Sequence, residues 1–149
     1  MRLNFNEGED FPNQAFLWEA NQQRSLKGKK GQAALRELEA ALLSLPEKKL
    51  IKDELENADG QVCALGALAK HRGVQIPRID WGSEEYSEFD EDDSERMSLE
   101  LAKNLGVPKM VAVAVVYEND DCWPPTITPE GRYTKMLGWV RRQLKQKES

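Results

Sequence analysis

The sequence predicts a mainly α fold: one compact domain over residues 1–149, built from five or six helices, with an acidic segment at 83–95 crossing its surface as a loop or extended stretch. Three observations carry this. Leu35, Leu38, Leu42 and Leu45 recur at helical spacing among alanines and stop at Pro46. Helix punctuation recurs elsewhere, with Gly73 closing one apolar stripe and Thr128-Pro129 opening another. Convincing strand partners are missing, and only Lys49–Leu55 offers a short strand as an alternative to a helical turn. A hydrophobic content of 40%, with four Trp, four Phe and three Tyr, excludes a wholly disordered chain.

The elements follow in order. Asn13 is placed to cap a first helix over Ala15, Phe16, Leu17, Trp18 and Ala20, ending near Leu26. Two glycines then punctuate the basic turn Leu26–Gly31, and a second helix runs from Gln32 to Leu45. Asp59-Gly60 is a turn. Val62–Arg72 reads as a third helix with Gly73 as its cap, and Pro77–Gly82 as a linker. Ser94 is placed to cap a fourth helix through Asn104. Met110–Glu118 suits either a helix opened by Pro108 or a buried strand, and the lack of partner strands favours the helix. Asp120–Thr128 is a loop, and Pro129 starts a last helix to about Gln146.

The first residues, MRLNFNEGEDFPNQ, contain no apolar stretch of the signal-peptide kind. The longest apolar run, Met110–Tyr117, falls far short of the roughly 20 residues that span a bilayer. Two cysteines form no disulfide framework, so a reducing cytoplasm is expected, with Cys63 as a small buried apolar residue.

No catalytic signature stands out, and the chain is read as a non-enzyme without cofactor or metal. Cys63 and the single histidine, His71, stand ~12 Å of helical rise apart, too far for proton transfer. His71 suits an exposed place near terminal carbonyls. Three Cys and His residues in all are too few for a structural zinc site. Glu118, Asp120 and Asp121 could offer oxygen ligands, but without the spacing or central glycine of a calcium loop.

Charge is more informative. Lys29 and Lys30 lie in a GKKG turn before a helix, where backbone N–H groups attract anions and Lys27 adds to the charge; the alternative is a solvated turn. On the last helix Tyr133, Met136, Leu137, Val140 and Leu144 share one arc, and Arg132, Lys135, Trp139 and Arg142 another. A basic face holding an aromatic suits phosphate contact and base stacking, or else Arg stems packed over Trp139. Against these stand Glu84, Glu85, Glu88, Asp90, Glu91, Asp92, Asp93 and Glu95, with no base among them. The chain carries a net charge of -5, and without those acids the remainder is basic. Such a run is a solvated loop, docks on the chain's own basic faces, or meets a basic partner as a mimic of nucleic-acid phosphates would. Tyr86 and Phe89 inside it favour an interface.

The segments GKKGQAALRELEAALLSLPEKKLI (Gly28–Ile51), GQVCALGALAKHRG (Gly60–Gly73), VYENDD and TPEGRYTKMLGWVRRQ (within Val116–Gln143) resemble a family of uncharacterised phage and prophage proteins. The resemblance implies a mostly helical chain in a phage-related setting, with no activity assigned. The reading that follows is an interaction protein in the host cytoplasm. Its expected partner is the basic surface of a host factor, such as a nucleic-acid-binding or defence protein, met by Tyr86, Glu88, Phe89, Asp90, Asp92 and Asp93. The alternative is a small nucleic-acid-binding module that uses Lys29, Lys30, Arg132, Lys135, Trp139 and Arg142.

Overall fold

The computed structural model describes residues 10–76, 91–120, 124 and 126–145; for residues 10–16, 18 and 91–95 it describes the backbone alone. Six helices follow one another: α1 Asp10–Lys27, α2 Lys29–Ser44, α3 Ala64–Arg72, α4 Glu91–Asn104, α5 Lys109–Asp120 and α6 Pro129–Gln143. The fold is mainly α, and among the described residues no strand forms. α2 packs on α1, α3 and α6, while α5 packs on α1, α3, α4 and α6. The shared core holds Leu35, Leu38 and Leu42 of α2, Leu65 and Leu68 of α3, Leu101, Val111 and Val115, with Met136 and Val140 of α6. None of the leucine-stripe positions 35, 38 and 42 is more than 2% exposed, so the stripe that predicts α2 is the one that buries it.

Most boundaries follow local chemistry. Thr128 caps α6 by accepting from the Gly131 amide at 3.0 Å, and Pro129 opens the helix. Gly73 adopts φ 71 at the end of α3, and Gly106 adopts φ 72 after α4. In each case the following valine amide turns back to an alanine carbonyl, Val74 to Ala69 and Val107 to Ala102, both at 2.9 Å. Met110–Glu118 lies inside α5, as favoured.

Three expectations are corrected. Asn13 lies inside α1 and does not cap it, because the helix already runs from Asp10; Pro12 is tolerated in the first turn, where its missing N–H would have no partner. Ser94 likewise lies inside α4, which runs from Glu91. Glu91, Asp92 and Asp93 thus occupy its first turn, where the helix dipole favours negative charge. The basic turn shrinks to Gly28 alone, since Lys29, Lys30 and Gly31 belong to α2. Gly31 permits this tight elbow: a Cβ there would stand 2.0 Å from the Ser25 carbonyl oxygen.

The candidate strand at Lys49–Leu55 does not form. The segment is held by single backbone bonds, Leu50 to the Pro129 carbonyl at 3.1 Å and Ile51 to that of Val62 at 3.0 Å, and a lone antiparallel bridge pairs Glu56 with Val62. Asp59-Gly60 forms the turn, with the Asn57 side chain accepting from the amides of Asp59 and Gln61. The linker at 77–82 lies outside the described residues.

Candidate functional site

Two buried amides organise the polar architecture. Gln32 is 4% exposed. Its Nε2 donates to the Leu26 carbonyl at 2.8 Å and to the Gln143 carbonyl at 2.9 Å, while its Oε1 accepts from the Lys145 amide at 2.8 Å. One side chain therefore ties the end of α1, the start of α2 and the end of α6. Unmatched helix-end carbonyls need partners when removed from water, and Gln32 supplies them.

The consequence is electrostatic. Residues 20–36 and 131–147 are two acid-free stretches that carry several cations each, and Gln32 fixes one against the other. Lys27, Lys29, Lys30, Arg36, Arg142 and Lys145 all lie within about one helical turn of this junction and are exposed. None of them pairs with an acid among the described residues. Elsewhere Arg72 pairs with Glu37, Lys70 with Glu56 at 2.9 Å and Arg141 with Glu39 at 2.9 Å. The Arg72 guanidinium holds the Glu37 carboxyl below the usual carboxylate range through a direct hydrogen bond.

The proposed basic face of the last helix is only partly brought together. Arg142 joins the junction, and Lys135 is exposed one to two turns away. Arg132 and Trp139 are 6% and 8% exposed. The Arg132 guanidinium donates to the Asn119 carbonyl. α6 lies between α2 and α5, so it buries a second arc beside the predicted apolar one, and the aromatic is withdrawn from any ligand. The predicted core arc itself holds: Tyr133, Met136 and Val140 are buried, with Leu137 and Leu144 packed against the core. The Tyr133 hydroxyl donates to the Leu42 carbonyl at 3.0 Å.

Of the acidic interface residues, Tyr86, Glu88, Phe89 and Asp90 lie outside the described residues, and Asp92 and Asp93 are described by their backbone in α4. Cys63 is buried, as expected. It caps α3 by accepting from the Gly66 amide at 3.4 Å, and burial pushes its thiol up to about 12, which makes it a poor nucleophile. His71 is exposed, with Nδ1 3.5 Å from the Ser44 hydroxyl. Of the candidate oxygen ligands, Asp121 lies outside the described residues, and no group of three metal-binding side chains occurs among those described.

The second buried amide, Asn119, is 2% exposed and went unnoticed in the sequence. Its Oδ1 accepts from the Ala64 amide at 3.0 Å, and its Nδ2 donates to the Ile51 carbonyl at 2.9 Å and to Asp120 Oδ1 at 2.8 Å. The last turn of α5 thereby caps α3 and holds the 50–55 segment. Asp120 Oδ1 also accepts from the Asp53 amide at 3.2 Å, where Asp53 takes the left-handed conformation with φ 65. Burial raises the Asp120 carboxyl above its ordinary range, against the hydrogen bonds that lower it.

No described helix is long and apolar enough to cross a membrane. The chain matches no protein-family model, no curated protein and no solved structure.

Proposed function

We propose that the chain is a non-enzymatic binding protein whose basic end engages the phosphates of a nucleic acid. One observation carries this reading: Gln32 clamps two acid-free basic segments together, and the cations around it have no acidic partner among the described residues. Uncompensated like charges repel one another, and an array of phosphates relieves that repulsion while releasing counterions. The start of α2 adds backbone N–H groups beside Lys29 and Lys30. With Trp139 buried, no stacking platform joins these cations, so the binding is electrostatic and reads charge spacing rather than sequence.

The test is fluorescence anisotropy with a short labelled duplex at low salt. Lys29→Gln/Lys30→Gln and Arg142→Gln/Lys145→Gln should each weaken binding about tenfold or more, since both halves of the junction contribute. Lys103→Gln/Lys109→Gln, placed on α4 and α5, should leave it unchanged. Equal losses from all three pairs would reduce the effect to net charge and refute the site.

The acidic run supports a second reading, a partner surface for a basic host protein in a phage-related, cytoplasmic setting. Its motive is that α4 runs from Glu91, which places Asp92 and Asp93 on a helical turn beside Tyr86, Glu88, Phe89 and Asp90 in sequence. Replacing Asp90, Asp92 and Asp93 by Asn should slow association with such a partner and flatten its salt dependence. Unchanged association would remove this reading and leave the first untouched.

A further inference from the structure

The basic end is small and held in place. The Leu26 and Gln143 carbonyl oxygens accept from one nitrogen of Gln32, at 2.8 and 2.9 Å, and so stand within about 6 Å of each other. Lys27 directly follows the first, Arg142 directly precedes the second, and the Lys145 amide donates to the same side chain. Along α2, Lys29 and Arg36 lie about 4.5 and 6 Å of helical rise to either side of Gln32. With α6 packed on α2 at the usual spacing of about 8–10 Å, these residues and Lys30 occupy a patch about 20 Å across. It ends along α2 at Glu37 and Glu39, which pair with Arg72 and Arg141. Across 20–36 and 139–145 the one aromatic residue is Trp139, and it is buried, so the patch presents cations without a ring face.

On the basis of the phosphate-binding reading, we infer that this end selects double-stranded over single-stranded nucleic acid. Charge density decides between them. A duplex carries one phosphate per ~1.7 Å of its axis, hence about 12 over 20 Å, and about half of these face one side. Six facing phosphates match the six exposed cations. A single strand carries half that density at most, so about three phosphates face the same patch and half of the cations stay uncompensated. A flexible strand must also be ordered as it binds, and proteins that take one offset that cost by stacking its bases on aromatic rings. The patch has no ring to offer. A duplex arrives already ordered, and its fixed phosphates meet cations mounted on helix ends that Gln32 holds together.

The experiment compares binding of the full chain to a labelled duplex and to one labelled strand of it, of a sequence that does not pair with itself. Fluorescence anisotropy follows both as salt is raised from about 50 to 200 mM. At the low-salt end the duplex should bind at least about tenfold more tightly. The slope of log K against log salt concentration should lie near −4 to −5 for the duplex, and near −2 for the strand at about −0.7 for each of three phosphates. Lys29→Gln/Lys30→Gln should weaken duplex binding more than strand binding and so narrow the ratio, because the strand leaves cations to spare. A ratio below about tenfold, equal slopes, or a ratio that the double substitution does not move would overturn duplex selection and leave the phosphate reading in place. Failure of both probes to bind at low salt would overturn that reading and duplex selection with it.

Discussion

Gln32 gives the sharpest prediction, because one buried side chain closes three helix ends. Gln32→Ala removes hydrogen bonds of 2.8, 2.9 and 2.8 Å and leaves the Leu26 and Gln143 carbonyls and the Lys145 amide without their partner. At about 1 kcal/mol net for each bond, with added loss where water does not reach the orphaned group, the expected destabilisation is about 2–4 kcal/mol. For a chain of this length that corresponds to a fall in Tm of about 4–16 °C. Gln32→Glu is the more informative variant. It keeps shape but sets a carboxylate against two carbonyl oxygens, so at neutral pH it should cost more than alanine. Its folded pKa is raised above the unfolded one, so the loss is full at high pH and shrinks as pH falls through the raised value. Urea denaturation followed by circular dichroism at pH 5 and 7.5 measures both. Changes within about 0.5 kcal/mol for both variants would mean that the junction does not form in solution.

Three further outcomes are expected. Leu42→Ala, at a position 0% exposed between α2 and its neighbours, should destabilise by about 2–5 kcal/mol in the same denaturation assay. Gly31→Ala should destabilise by at least about 2 kcal/mol, because its Cβ would meet backbone, the Ser25 carbonyl oxygen at 2.0 Å, and α1 must swing away from α2; unchanged thermal melting would contradict that elbow. Asp120→Asn should slightly raise stability at pH 7. Burial raises the Asp120 carboxyl, so its charged form opposes folding at neutral pH and protonation relieves it; the gain of the variant should vanish as pH falls through the raised value.

What the sequence revealed was what is decided within one or two turns. The α2 stripe, the Thr128-Pro129 start and the Gly73 end depend on neighbours a few residues away, and each is where the pattern put it. Helix starts without an obvious cap were harder. The acids before Ser94 read as part of a loop or extended segment, although a helix N-terminus welcomes them, and Pro12 is a first-turn residue that resembles a breaker. The largest misreading lay on α6. Arg132 and Trp139 share an arc with exposed cations, but a helix packed between two others buries more than one stripe, and periodicity alone does not report how many neighbours a helix has. Gln32 and Asn119 were invisible for the same reason. Their bonds reach across 111 and 68 positions, and an amide carries no local mark of being buried. Of the candidate binding residues, Lys27, Lys29, Lys30 and Arg142 are those that the fold gathers, and it adds Arg36 and Lys145.

The central claim is that this gathered charge meets phosphates, and the salt dependence of duplex binding tests it most directly. Each phosphate neutralised contributes about −0.9 to the slope of log K against log salt concentration. With four to six of the six junction cations engaged, the slope should lie near −4 to −5, and Lys29→Gln/Lys30→Gln should flatten it by about 2. A slope no steeper than about −1, or one that the double substitution leaves unchanged, would contradict the account.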